Sequence, residues 1–106
     1  MPENQIVIIE TTSNQPQCLQ AIAHRLIQEK LAACVQILPP HQSLYRWNGN
    51  VETSQEQKLQ AKTTHKLVAQ VQQVVDQLHN YELPEFVVHS VTASEAFADW
   101  VENETL

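Results

Sequence analysis

The amino-acid sequence predicts an α+β fold with elements in the order βαββαβ. Three observations carry that prediction. Extended and helical apolar patterns alternate along the chain in that order. Asn48-Gly49 falls between the second and third extended segments, where a tight hairpin needs two residues that tolerate positive φ. The 106 residues are 42% apolar, enough for one small core. The arrangement is the split βαβ, or ferredoxin-like, sandwich. Its expected form is a four-stranded antiparallel sheet with two helices on one face, a long hairpin between the second and third strands, and a C-terminal helix. Right-handed crossovers put both helices on the same side. Residues 1–106 read as a single domain.

Ile6-Val7-Ile8-Ile9 is apolar at consecutive positions, which suits a central strand covered on both faces. Ser13, Asn14 and Pro16 then punctuate the chain and can start a helix over 16–29. Leu19, Ile22, Ala23, Leu26 and Ile27 form its apolar stripe, with Gln20, His24, Arg25 and Gln28 on the wet side. A strand follows over 33–38, with Ala33, Val35 and Ile37 alternating with Cys34, Gln36 and Leu38. Pro39-Pro40 interrupts it, because proline donates nothing to a strand ladder. Extended pattern resumes over 43–47, turns at Asn48-Gly49, and returns from Val51 to Lys62.

Thr63 or Thr64 can cap a second helix, whose stripe is Leu67, Val71, Val74, Val75 and Leu78. His79 to Pro84 ends it and forms a loop. Residues 86–91 make the last strand. Ser94 can cap a terminal helix with Phe97, Trp100 and Val101 on one side. The hairpin from Ala33 to Lys62 is long against ordinary strands of about five or six residues. Near its tip stand Tyr45 and Trp47, two large rings that are costly to leave in water. A symmetric oligomer would bury them together with the sheet face that the two helices leave open.

The formal net charge is -6, from twelve acidic and six basic residues. Nucleic-acid binding normally needs the opposite balance, so no nucleic-acid partner is expected. No apolar run approaches the roughly 20 residues of a membrane helix, and the first residues lack the pattern of a secretion or transit signal. No membrane partner is expected, and a cytoplasmic setting is. Cys18 and Cys34 form no CxxC and read as reduced thiols. Gly49 is the only glycine, which excludes phosphate-cradling and dinucleotide loops of the usual kind.

Five histidines occur, at 24, 41, 65, 79 and 89, with no HxxxH or HExxH spacing. His24 and His65 read as helix-surface residues, and His89 as a histidine packed within its strand. His79-Asn80-Tyr81-Glu82-Leu83-Pro84-Glu85 is denser: an imidazole, a phenol and two carboxylates lie within seven residues. Either this loop supplies ligand contacts, or Tyr81 packs on the sheet while Glu82 caps nearby backbone. Cys34 reads either as a small apolar residue or as a soft metal ligand. No nucleophile–base set is visible, so no enzymatic activity is expected.

Several of these segments, in this order, resemble the CutA family of divalent-cation tolerance proteins. Leu31-Ala32-Ala33-Cys34-Val35 is similar to its LAACV signature, and Ser43 to Gly49 to its S-x-Y-x-W-x-G stretch. Lys62-Thr63 resembles its K-T at the end of the third strand, and His79 to Glu85 its H-P-Y-E-x-P-E motif. The resemblance implies a cytoplasmic homotrimer linked to tolerance of divalent metals, with copper(II) or another divalent cation bound through Cys34 and His79. The family's likeness to trimeric nitrogen-regulatory signal proteins implies an inter-subunit cleft lined by Trp47, Lys62, Tyr81, Glu82 and Glu85. A small-ligand signalling module, or a trimeric scaffold for another protein, are the alternatives. Asn80 stands where the family usually has proline, which implies a less rigid loop, and Gln36 replaces a common asparagine. The segment 57–61 is more polar than the family's third strand.

Overall fold

The computed structural model describes residues 4–106. Its elements are β1 (Gln5–Ser13), α1 (Pro16–Gln28), β2 (Cys34–Ile37), β3 (His41–Trp47), β4 (Asn50–Thr63), α2 (Val68–Leu78), β5 (Val87–Thr92) and α3 (Glu95–Asn103). A single 3-10 turn, His65–Leu67, leads into α2. The main sheet runs β2-β4-β1-β5, every pairing antiparallel, and β3 pairs with the outer part of β4. This is the ferredoxin-like order, with one refinement. Pro39-Pro40 divides the expected second strand into β2 and β3, while β4 stays continuous for 14 residues and serves both. The outer half of that ribbon projects as an arm, and the chain measures 44 × 25 × 23 Å.

Val7, Ile9, Leu59 and Ala61 face α1 and α2, and meet Leu19, Ile22, Leu26, Val71, Val74 and Val75 in the main core. The opposite face is covered at one end only. There Ala98 and Val101 of α3 bury Ile6, with Ala33 and Val91 packed alongside. Ala33 therefore does not share a side with Val35 and Ile37, which pack on the main core. It precedes the regular ladder, and its N–H bonds to the Lys62 carbonyl.

The hairpin turn forms as expected. Asn48 and Gly49 take φ of 51° and 80°, and Trp47 pairs with Asn50 across a two-residue loop. Ser94 caps α3, its Oγ accepting the Phe97 N–H at 3.2 Å. Neither threonine before α2 caps it. The Thr63 hydroxyl instead donates to the Leu31 carbonyl at 2.7 Å, and the Thr64 hydroxyl is buried without a partner. The 3-10 turn displaces the helix start to Val68, out of reach of both side chains. The side of α3 differs too. Val101 is buried, but Phe97 and Trp100 stack on each other at 5.6 Å with 37% and 42% of their surfaces exposed.

Candidate functional site

A cleft of about 600 Å³ opens where the arm leaves the sheet, on the side away from α1 and α2. The strand alternation dictates one wall. Odd residues of β3 and even residues of β4 share a face, so Ser43, Tyr45 and Trp47 stand above Glu56 and Lys58. The other wall is the loop after α2, which contributes Tyr81, Glu82 and Glu85.

Hydrogen bonds fix that loop on the sheet. The Tyr81 hydroxyl donates to Glu56, whose side chain belongs to a residue only 7% exposed. Burial, that bond and the Glu56 charge all push the phenol above its ordinary range, so Tyr81 stays a donor at neutral pH. Glu85 accepts from the Thr12 hydroxyl at 3.1 Å and from Lys58 at 3.4 Å. Lys58 also lies 3.7 Å from Glu10. Glu10 in turn accepts from Gln60 at 2.6 Å and His89 at 3.0 Å. The Gln60 and His89 bonds hold its carboxyl below the ordinary value against the effect of burial. His89 is thus an exposed partner of Glu10, not a packed strand histidine.

His79 occupies the corner between α2 and this loop. Its Nε2 donates to the Thr12 carbonyl at 3.0 Å, and its Nδ1 accepts the Tyr81 N–H at 3.0 Å. Burial lowers its pKa, and the neutral ring is the form these two bonds select. Asn80, which stands where the resembled family usually has proline, accepts from Ser13 at 2.5 Å and donates to Asn14 at 2.9 Å. Two side-chain hydrogen bonds thus hold the loop where a proline ring would have stiffened it.

Four residues of the expected cleft, Trp47, Tyr81, Glu82 and Glu85, come together here. Lys62 does not join them. It pairs with Cys34 across the β2–β4 ladder and donates to Gln36 at 2.7 Å. Lys58, two β-repeats nearer the arm, supplies the cleft's ammonium group. Glu56 and Lys58 escaped the sequence reading. The signal that could have found them is the even-numbered run 56, 58, 60, 62, all polar, on one face of β4.

Cys34 and His79 lie apart. Cys34 is level with Ile8 through Lys62, whereas His79 binds Thr12. Four residues of strand and two strand spacings put them on the order of 15 Å from each other. Both His79 nitrogens are engaged, and among the described residues no group of three His, Cys, Asp or Glu side chains could hold an ion. The residues of one chain alone do not fit a metal centre.

A ferredoxin-like sheet with a half-walled polar and aromatic cleft defines a small α+β domain. Its family is shown by comparison. The chain belongs to the CutA1 divalent ion tolerance proteins, whose family profile matches residues 7–104. The divalent-cation tolerance protein CutA of Thermus thermophilus is 35% identical over 102 residues, covering 95% of this chain and 97% of that one. The chloroplastic CutA protein of Arabidopsis thaliana is 35% identical over 94% of this chain, which spans only 55% of that relative's length. The solved structure of the Thermus thermophilus protein superposes with a TM-score of 0.91 at 33% identity, covering 95% of this chain and 99% of that one. CutA from Synechococcus elongatus gives 0.89 at 32% identity, covering 100% and 95%. The name of the Thermus thermophilus relative describes tolerance of divalent cations. Among the described residues no helix is long and apolar enough to cross a membrane.

Proposed function

We propose that the protein acts in the cytoplasm as a homotrimer in divalent-cation tolerance, and that it binds copper(II) or another divalent ion without catalysing a reaction. The carrying observation is the projecting arm, with Tyr45 and Trp47 each about two-fifths exposed beside an open sheet face. That surface is what an oligomer would cover. Since one chain offers no complete set of donors, the ion must draw on Cys34 or His79 together with groups from a neighbouring subunit. Native mass spectrometry tests the assembly, with three times the chain mass as the expected species. Calorimetric titration with copper(II) tests the ligands. Affinity should fall in Cys34→Ala and in His79→Ala, and unchanged affinity in the double variant would remove both residues from the site.

The cleft favours a second role, as a small-ligand site at the subunit boundary. Its volume lies within the range of small-molecule pockets, and it combines aromatic walls with a few fixed polar groups.

A further inference from the structure

Three carboxylates, Glu56, Glu82 and Glu85, line the cleft against one ammonium group, Lys58. Lys58 already stands between Glu85 at 3.4 Å and Glu10 at 3.7 Å, so its charge is compensated from within the chain. An anionic ligand would meet an excess of negative charge and a lysine already engaged. An inorganic divalent ion would need several oxygens converging on one point, and no such group of three occurs among the described residues. The carboxylates are instead spread along walls that also carry the rings of Tyr45, Trp47 and Tyr81. Spaced negative charges with apolar and π surface between them are complementary to spaced positive charges on an apolar chain.

We propose that the cleft, lying at the boundary the proposed trimer creates, binds an aliphatic di- or polyamine, its ammonium groups placed among Glu56, Glu82 and Glu85 and its methylenes laid on the faces of Trp47 and Tyr45 that the neighbouring subunit leaves uncovered. The proposal rests on reading the cleft as a ligand site and assigns the chemical class of that ligand. Glu82 is exposed and the best placed to recruit the amine. Glu56 is committed to Tyr81 and shapes the floor.

The test is fluorescence titration of Trp47 with spermidine at low ionic strength, in a Trp100→Phe background that leaves one indole. Citrate is titrated in parallel. Spermidine should quench saturably, and Glu82→Gln with Glu85→Gln should weaken it by about tenfold or more. Glu95→Gln with Glu102→Gln on α3 removes equal charge far from the cleft and should leave the affinity unchanged. Equal weakening by both pairs would mean diffuse attraction to an acidic surface and would overturn the proposal. Saturation by citrate, lost in Lys58→Gln and with no response to spermidine, would overturn the ligand class while keeping the cleft as a site. No response to either probe, by fluorescence or calorimetry, would overturn the cleft reading itself.

Discussion

The two faces of the central sheet are built from alternate residues of the same strands, yet they are held by different physics. In β1, Val7 and Ile9 turn to the helices and are buried to 0% and 1% exposure. Their neighbours Ile8 and Glu10 turn to the open face and stay partly exposed. The helix-covered face is a packed apolar core. Beyond the end covered by α3, the open face is a lattice of carboxylates, amides and ammonium groups running from Gln36 and Lys62 to Glu10, Lys58 and Glu85. The first face completes itself within one chain. The second is satisfied by hydrogen bonds but not dry, and it continues into the cleft. The packed core and the open cleft thereby lie on opposite sides of one sheet.

The sharpest way to break that contrast is to delete the same atoms from each face. Ile9→Ala leaves a cavity among Leu19, Ile22 and Val71 and should cost about 3 kcal/mol. Ile8→Ala, one residue away, opens a site that a single chain leaves partly solvated; it should cost about 1 kcal/mol or less in the dissociated chain and approach the Ile9 value where the proposed trimer covers that face. Urea denaturation of both variants measures the difference. Equal losses would show that the open face is as tightly packed as the core, which is the signature expected if a partner subunit covers it.

The next contrast concerns charge. His79 is half-buried with its pKa lowered by desolvation, so the unfolded chain takes up its proton first as the pH falls. Its contribution to stability is complete above the unfolded value of about 6.5 and declines as the pH drops through the lowered folded value. Glu10 is also lowered, but from 4.5, so its contribution disappears only in a more acid window. Stability between pH 7 and pH 5 should therefore fall, and His79→Gln should flatten that slope. The variant itself should cost about 1 kcal/mol at pH 7, for the loss of a hydrogen bond at the α2 corner. Thermal melts across the pH series read both effects.

The legibility of the sequence follows the same division. The helix-covered face was readable because apolar periodicity reports burial against a known partner: the stripes of α1 and α2 reached the main core except for Ile27, which is 45% exposed, and of the β2 alternation Val35 and Ile37 did while Ala33 packs on the other face. The Asn48-Gly49 turn was readable because backbone chemistry allows few alternatives there. The open face was not, because polar residues on a strand look alike whether they line a cleft or meet water. Lys62 and Lys58 occupy equivalent phases of β4, and only the position of the loop after α2 selects Lys58. The α2 start was misplaced because a 3-10 turn has no strong signature apart from the caps that it bypasses. Phe97 and Trp100 mark the limit of periodicity, since their helical spacing matches a buried stripe while the fold leaves them stacked in the open.

The smallest expected effect separates networked charges from isolated ones. Arg25 and Glu29 form an exposed i,i+4 pair at 2.7 Å on α1, the shortest ion pair among the described residues. Its length does not make it strong. Both side chains remain hydrated, and ordering two flexible chains offsets most of the Coulomb gain. Glu29 also sits at the C-cap of α1, where the helix dipole disfavours a negative charge. The two terms oppose each other, so Glu29→Ala should change stability by less than about 0.5 kcal/mol. Lys58, longer in its contacts but shared by Glu10 and Glu85 beside a buried threonine, should cost more when truncated to alanine. Both are read by the same urea denaturation, and raising the salt should shrink the Glu29 effect further while leaving most of the Lys58 effect in place. If the two variants behaved alike, the open face would be an ordinary solvated surface, and the ordered polar lattice that positions the cleft would have to be given up.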